Sequence, residues 1–247
     1  MKKLCYYFSV TCLLLLSFGV TGGSISYPVL GNLYMPQGTI EMWLIPQVEP
    51  MGENMLKKNY WGHPLFTVKQ SDSSFQLLWM VRKGRSCPVA LHAVGKTGLN
   101  HYLPVEKWGK GEPRHIAYCW DSGKDWWIID GVEMPVKQHS EWHRASIGTQ
   151  LRMILGSEKI HGMFVIDDLR ISSVARRTDE VGFHHPGKLK NDPWTLLLDN
   201  FDSPIRDNGI QRTTPQVMTP AADGKSGGIP DRNCSFVPGI SGTGLRL

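Results

Sequence analysis

Short apolar runs, each about as long as one β-strand, recur along the chain. They are rich in β-branched and aromatic residues and are bounded by Gly, Pro, Asn or Asp, which is typical of strands. No long amphipathic helical pattern occurs before His184. The pattern predicts an all-β fold built from two antiparallel sheets, a sandwich or a barrel. The predicted strands span residues 38–46, 63–68, 74–82, 114–120, 126–131, 150–156 and 163–172.

One pair of these runs, residues 114–131, predicts a β-hairpin rich in tryptophan. Residues 121–125, Asp-Ser-Gly-Lys-Asp, form a glycine-containing loop between the two strands. Side chains alternate between the faces of a strand, so Trp120 and Trp127 are predicted to point into the core. Trp126 is predicted to lie on the opposite face of its strand. Because both faces carry bulky residues, the hairpin is predicted to lie centrally in its sheet.

The N-terminus has the layout of a secretory signal peptide. Lys2 and Lys3 precede an apolar run over residues 4–20, and small residues follow it. This layout predicts a signal peptide over residues 1–24, cleaved within 22–24, and a protein that is secreted or held in the cell envelope. The alternative is that the run, which is nearly long enough to span a bilayer, stays as an N-terminal anchor at a membrane.

Charge and cysteine content narrow the possible partners. The formal net charge is +5, and Lys and Arg are scattered among the acids, so the sequence does not predict nucleic-acid binding. If Cys5 and Cys12 leave with the signal peptide, the remaining cysteines are odd in number and do not suit a disulfide framework. We interpret Cys119, which lies within an apolar strand, as a small core residue.

Four motifs occur in a fixed order, at residues 38–46, 104–121, 126–134 and 164–177. They are a strand ending in Trp-x-x-Pro, a Trp before a His-x-Ala-x-x-Trp-Asp strand, a strand with an Asp-Gly turn, and the strand Ile-Asp-Asp-Leu-Arg-Ile-Ser. In order and spacing the chain resembles the concanavalin A-like lectin/glucanase superfamily, in its laminin-G-like jelly-roll form. The resemblance implies a jelly-roll β-sandwich over residues 25–180.

In such domains, segments of the form Leu-x-x-x-Phe-Asp and Gly-x-x-Gly-x-x-Leu normally supply the first strands. Here similar segments come last, at residues 196–204 and 238–247. Either residues 196–247 fold back through a connection at 181–195 and complete a circularly permuted sandwich, or they are the truncated start of a second repeat. The first interpretation is favoured, because two strands with no sheet to join cannot bury their apolar face.

Catalysis is not predicted from the carboxylates. The superfamily's glycoside hydrolases use paired acids, and their Glu-x-Asp-x-x-Glu strand motif is absent here. The nearest acids are Glu41, Asp167 and Asp168, and successive residues of a strand point to opposite faces. A Gly-x-Ser-x-Gly nucleophile elbow is also absent. A glycoside hydrolase therefore remains only the less favoured alternative, and Arg170 is predicted to form a structural ion pair with Asp168, on the same face of its strand.

Calcium is the metal that the resemblance implies, because laminin-G-like and pentraxin-like relatives often hold it at a loop rim. Asp121, Asp125 and Asp130 flank the hairpin and are the candidate ligands, since calcium takes several carboxylate and carbonyl oxygens. The alternative is that these residues shape the turns. His115 is interpreted as a packing residue beside Trp108 and not as a catalytic base.

Tryptophans are the candidate contacts for a ligand, because sugar rings stack on exposed indoles. Trp43, Trp120 and Trp127 alternate with apolar neighbours and are predicted to lie in the core. The others lie near loops or polar neighbours, and packing beneath a loop is the alternative for each. Trp126 is the preferred platform, and the remaining candidates are Trp61, Trp79, Trp142 and Trp194.

The function predicted from these features is that of a non-catalytic module that binds a glycan or an extracellular protein at its loop rim or concave face. Fold analogy supplies this prediction, and a fold does not by itself imply a function. The alternative is a structural scaffold or interaction module of an envelope protein that binds no sugar.

Overall fold

We analysed a computed structural model of the chain. The structure describes residues 23–47, 62–69, 73–82, 85–94, 97–102, 108–134, 152–157, 164–184, 188–201, 205–206, 209–210, 229–230, 235–240 and 243–246. The segment with the signal-peptide pattern lies almost wholly outside these residues, as do Trp61 and Trp142. Over the described ranges, no helix has the length and apolar character needed to cross a membrane.

Two antiparallel sheets make up the fold. The first has seven strands, and each strand pairs antiparallel with its neighbours. Its spatial order is β15 (Ile229–Pro230), β1 (Ser24–Pro28), β10 (Arg152–Gly156), β3 (His63–Lys69), β4 (Ser73–Arg82), β5 (Arg85–Val94) and β6 (Thr97–Tyr102).

The second sheet has eight strands, again antiparallel. Its order is β16 (Ser235–Pro238), β17 (Thr243–Arg246), β11 (Phe164–Ser172), β2 (Gln37–Pro46), β7 (Arg114–Asp121), β8 (Lys124–Ile129) and β9 (Val132–Met134), with β12 (Thr195–Asp199) also paired to β11. A separate short pair consists of β13 (Ile205–Arg206) and β14 (Gly209–Ile210). A 3-10 turn covers Gly182–His184.

The core lies between the two sheets, and strand alternation builds it. On β2, Ile40, Met42 and Leu44 point inward and are at most 1% exposed. Trp120 and Trp127 of the β7–β8 hairpin are fully buried in the same core, as the alternation predicts. The two-sheet antiparallel β-sandwich predicted from the sequence is therefore confirmed.

The turn of the β7–β8 hairpin is tighter than the sequence predicts. The strands continue to Asp121 and Lys124, which pair with each other, so the turn between them consists of Ser122 and Gly123. Both residues have positive φ, 46° and 91°. This is the backbone of a type I′ turn, whose twist matches that of the flanking strands.

Residues near the C-terminus line one edge of β11. The N-terminal part of that edge pairs with β17 through Val165 and Ile166, and the C-terminal part pairs with β12. Leu197 and Leu245, one from each of these strands, are fully buried in the common core. β12 and β17 thus contribute to the same core as β2 and β7.

The domain boundaries predicted from the sequence can be tested with Leu245. Replacing Leu245 by Ala should lower the free energy of unfolding by about 2–5 kcal/mol, because it leaves a cavity in a packed core. Urea-induced unfolding of the whole chain measures this loss. Leu30→Ala serves as the control, since Leu30 is 39% exposed. Equal stability of the two variants would mean that the C-terminal strands are not part of the sandwich.

Candidate binding site on the outer face of the eight-stranded sheet

The eight-stranded sheet has polar and charged residues on its outer face, the face turned away from the first sheet. Since Ile40, Met42 and Leu44 of β2 point inward, Glu41 and Trp43 point outward. This corrects the prediction for Trp43, which is not a core residue. It packs edge-on against His115, with ring centroids 5.1 Å apart.

A bulge in β11 brings Arg170 to the same outer face. The register between β11 and β2 shifts between Asp167 and Leu169, and Asp168 has a φ of 50°, which few residues other than glycine adopt. Such a bulge inserts one extra residue and so exchanges the faces of the residues that follow. Leu169 therefore turns into the core, and Arg170 pairs in register with Glu41.

Residues 173–184 and 188–194, here called the covering segment, pack over this face. Val181 packs with Ala117, Cys119 and Ile128 in a small apolar cluster. Within the segment, Gly182 packs closely on Leu189, because a Cβ at Gly182 would lie 1.9 Å from a Leu189 methyl carbon. A larger residue at this position would require the buried Leu189 side chain to move.

Glu41 is the centre of the contacts beneath the covering segment. It is fully buried, and its Oε1 accepts a hydrogen bond from Arg170 Nε at 2.6 Å. Its Oε2 accepts from the Gly182 backbone N–H at 2.9 Å and lies 3.1 Å from His115 Nε2. Burial alone would raise the pKa of Glu41, but the hydrogen bond from His115 and the charge of Arg170 together lower it to about 2. Glu41 is thus held as a carboxylate inside the protein.

Arg176 extends this network to the edge of the covering segment. Its Nη2 donates to Asp192 Oδ2 at 2.6 Å and its Nε donates to Ser172 Oγ at 3.0 Å. Arg170 Nη1 lies 3.7 Å from the same Asp192 oxygen. Burial raises the pKa of Asp192, but hydrogen bonds from Arg176, Thr195 and the Trp194 N–H, together with the charge of Arg176, outweigh it, so the net shift is downward. We call Glu41, His115, Arg170, Arg176 and Asp192 the Glu41 cluster.

A cavity of about 270 Å³ opens beside the Glu41 cluster. Arg170 of β11 forms part of its wall, and the covering segment, which includes Arg176, forms the rest. The lining residues are Arg170, Arg176, Glu180, Gly182, Lys188, Leu189, Lys190, Asn191 and Asp192.

Trp194 follows the cavity wall by two residues and is 50% exposed. Its backbone is fixed: its N–H donates to Asp192 Oδ1 at 3.0 Å, and its carbonyl oxygen accepts from the Ser173 N–H at 2.8 Å. Asp192 Oδ1 also accepts from the Thr195 hydroxyl at 2.8 Å. An Asx turn of this kind holds the chain in one conformation without help from a ligand.

The structure does not present the other described tryptophan candidates as platforms. Trp79 is 1% exposed and stacks with Trp108, with centroids 4.3 Å apart, so its prediction as a binding residue is wrong. The strand alternation directs Trp79 inward together with Phe75. Trp126 does lie on the outer face, as predicted, but it is partly buried against the apolar cluster beneath Val181. Trp61 and Trp142 lie outside the described residues.

The three candidate calcium ligands do not converge. Asp125 is 2% exposed and accepts from the Tyr118 hydroxyl at 2.6 Å. Asp130 lies at the other end of β7 and is bound to Arg114 Nη1 at 2.9 Å. A strand rises by about 3.3 Å per residue, so the length of β7 separates Asp121 from Asp130 by roughly 20 Å. The three carboxylates therefore cannot hold one ion together. Where the chain is described, no group of three or more His, Cys, Asp or Glu side chains is placed to bind a metal.

Two further expectations need correction. Arg170 forms its described ion pairs with Glu41 and Asp192, whereas Asp168 lies in the bulge and accepts from the Leu189 N–H at 2.9 Å. His115 points to the outer face, and Trp108 lies in the core on the opposite side of the sheet. Strand alternation puts Asp168 and Arg170 on one face, and the bulge at Asp168 breaks that alternation.

Cys119 is buried, although on the outer side of the sheet and not in the main core. Burial raises the pKa of its thiol to about 12. It therefore remains protonated and unreactive at neutral pH.

The Glu41 cluster is not predicted from the sequence as a site, although one signal for it is present there. Glu41 is a lone acid within an apolar strand, Ile40-Glu41-Met42-Trp43. A buried carboxylate needs a cationic or hydrogen-bonding partner. The sequence could not show that Arg170 and the backbone of Gly182 supply it.

Comparisons with known proteins show the fold. No protein-family model matches the chain, and no curated protein matches its sequence. A putative carbohydrate-binding protein from Bacteroides ovatus has a similar structure, with 15% identity, a TM-score of 0.51, and coverage of 86% of this chain and 58% of its own. This chain therefore spans little more than half of that protein.

Two weaker similarities have TM-scores of 0.42. One is domain 4 of a GH43 extracellular arabinanase from Geobacillus stearothermophilus, solved with arabinotriose, at 16% identity over 61% of this chain and 66% of that one. The other is a SAP-like pentraxin from Limulus polyphemus, at 14% identity over 64% and 72%. The fold comparison rests on the Bacteroides protein.

Replacing Glu41 by Gln should destabilise the protein at neutral pH by about 3–5 kcal/mol, because it breaks a buried ion pair. The pKa of Glu41 is lower in the folded protein than its ordinary value of 4.5. The carboxylate therefore contributes its full stability above pH 4.5, and this is lost as the pH falls from 4.5 towards 2. Urea unfolding at several pH values should show the difference between wild type and variant shrinking below pH 4.5. Glu133→Gln, at an exposed position, is the control; a pH-independent difference for Glu41→Gln would contradict the assignment.

Proposed function

We propose that the protein is a non-catalytic glycan-binding module and that Trp194 and the adjacent cavity form its binding site. The observation that carries this proposal is the half-exposed indole of Trp194, held on a rigid turn beside a polar cavity. Large aromatic side chains are normally buried in a soluble protein or occupied at an interface. An exposed one with a fixed backbone suits a ligand with an apolar face.

Sugars combine an apolar ring face with hydroxyl groups that both donate and accept hydrogen bonds. The site offers both kinds of contact: Trp194 supplies an exposed apolar surface, and Asn191, Asp192 and Lys190 line a cavity whose wall ends at Asp192, which accepts a hydrogen bond from the Trp194 N–H. A pocket of this kind, with a few polar groups that fix orientation, is typical of small-ligand sites. The cavity is somewhat smaller than the ~300–1,000 Å³ of sites for drug-sized molecules. This size favours one sugar residue in the cavity, with the rest of the oligosaccharide in solvent.

The rigidity of the site supports binding at low entropic cost. The Asp192 turn and the ion pair from Arg176 fix the wall of the cavity before any ligand arrives. Because ordering a side chain on binding costs about 0.5–1.5 kcal/mol, a pre-organised wall retains more of the interaction energy as affinity. This is an advantage for sugars, whose contacts are individually weak.

The absence of catalysis is part of the proposal. A glycosidase acid has a raised pKa so that it can deliver a proton. The pKa of Asp192 is instead lowered, which suits a hydrogen-bond acceptor. Glu41 lies buried beneath the covering segment with both oxygens engaged, and so cannot act on a substrate in the cavity.

Secretion, or residence in the cell envelope, also belongs to the proposal. It rests on the charged and apolar pattern of residues 1–20. Extracellular and surface glycans are the partners available in that compartment. The similarity to a Bacteroides protein described as a putative carbohydrate-binding protein is in keeping with this proposal through the fold, which many functions share.

The proposal predicts that Trp194→Ala abolishes or strongly weakens glycan binding. Ligands would first be found by screening the whole protein on immobilised neutral and acidic glycans, and affinities then measured by titration calorimetry. Loss of aromatic stacking should raise Kd by about tenfold or more, whereas Trp194→Phe should retain much of the affinity.

Val132→Ala is the matched control, because Val132 is 60% exposed at the β8–β9 turn, at the other end of the sheet. Thermal unfolding would check that each variant is folded. If no glycan binds the wild type, the proposed function fails. If Trp194→Ala binds as the wild type does, the site is misplaced.

A further inference from the structure

We infer that the sugar bound at this site carries a negatively charged group, a carboxylate or a sulfate ester, and that Arg170 and Arg176 recognise it in the cavity. This inference rests on the proposed function and adds the chemical class of the ligand.

Arg170 retains hydrogen-bond donors at the cavity. A guanidinium group has five N–H donors. Arg170 donates to Glu41 through Nε, to the Lys190 carbonyl oxygen at 2.9 Å through Nη1, and to the Glu180 carbonyl oxygen at 3.4 Å through Nη2. Among the described residues, the remaining N–H groups on its two Nη atoms have no hydrogen-bond acceptor.

Arg176 repeats this arrangement on the same wall. It donates to Ser172 Oγ, to Asp192 Oδ2, and at 3.4 Å to the Glu180 carbonyl oxygen. It too keeps N–H groups without an acceptor in the described part of the chain. The two guanidinium groups therefore share one carbonyl oxygen, each through a long and weak bond.

A negatively charged oxygen is a better acceptor for these groups than a shared carbonyl. Charge-assisted hydrogen bonds are shorter and about twice as strong as neutral ones. Both arginine side chains are more than nine-tenths buried, at 7% and 6% exposure, so their orientation is fixed before binding. Arginine's planar fork also matches the two oxygens of a carboxylate or sulfate.

The charge around the cavity has the same sign. Lys188 and Lys190 join the two arginines on its wall, against the carboxylates of Glu180 and Asp192. Among the residues that line the cavity, four are cationic and two are carboxylates, while Glu41 and Asp168 lie behind the wall. A concave site lined by one excess charge attracts the opposite charge.

Trp194 indicates that the anion belongs to a sugar and not to a free ion. An inorganic anion would use only the arginines and lysines. A uronic acid or a sulfated sugar would use the same groups and would also cover the exposed indole.

The test compares sugars that differ only in charge. The probes are oligogalacturonate against its methyl ester, dextran sulfate against dextran, and inorganic sulfate alone. Titration of the whole protein in about 0.05 M and about 0.5 M salt should show at least one charged sugar binding roughly tenfold tighter than its neutral counterpart, with the difference shrinking at high salt.

Lys190→Glu provides the matching variant. The Lys190 side chain is exposed, and its contact with Arg170 is through the backbone carbonyl, so the substitution preserves the Glu41 cluster. It should weaken binding of the charged sugar about fivefold more than it weakens binding of the neutral counterpart. Lys110→Glu, at an exposed turn on the opposite end of the sheet, should change neither.

The outcomes separate this inference from the proposed function. Equal binding of charged and neutral sugars overturns the inference and leaves glycan binding in place. Failure of every sugar in the broad glycan screen overturns the proposed function itself. Inorganic sulfate that competes as well as the charged sugar does would show an anion site with no role for Trp194, which also overturns the inference.

Discussion

The buried carboxylate of Glu41 is the constraint on which the outer half of this structure depends. An isolated charge inside a protein costs far more than folding can supply, so it must be paired and hydrogen-bonded. Arg170 of the neighbouring strand, His115 and the backbone of Gly182 meet that need. Gly182 belongs to the covering segment. Glu41 therefore needs the segment for burial and a hydrogen bond, and the segment needs Glu41 for its position on the sheet.

This arrangement places a polar cavity and an exposed tryptophan on the outer face of the eight-stranded sheet. Because the Gly182 N–H ties the covering segment to Glu41, and the Arg176–Asp192 ion pair joins the two parts of the segment, the chain leaves the sheet, crosses it and returns at a defined point. The cavity and Trp194 lie at that return. Buried ion pairs are weak evidence for stability. Here they fix the position of a segment that also packs Val181 and Phe183 against the sheet.

The return point also depends on the C-terminal strands. Trp194 directly precedes β12, which pairs with the second half of β11, while β17 pairs with the first half. The bulge at Asp168 separates these two halves and turns Arg170 outward. One irregular residue therefore affects both the closing of the sheet edge and the composition of the cavity wall.

Local patterns in the sequence predict strands β2, β3, β4, β7, β8, β10 and β11, the β7–β8 hairpin, and the inward direction of Trp120 and Trp127; they do not predict β1, β5 or β6. Alternation along a strand is a property of neighbouring residues, so it can be read from a short stretch. The fold, and no local pattern, turns Trp43 outward, places Trp79 in the core, and puts Asp121 and Asp130 at opposite ends of a hairpin. It also decided that Glu41 meets Arg170, which is 129 residues away. Alternation separates the two faces of a strand without saying which one is inside, and a single bulge exchanges them. Partners distant in sequence are chosen by sheet register and by the path of the covering segment, which no local pattern encodes.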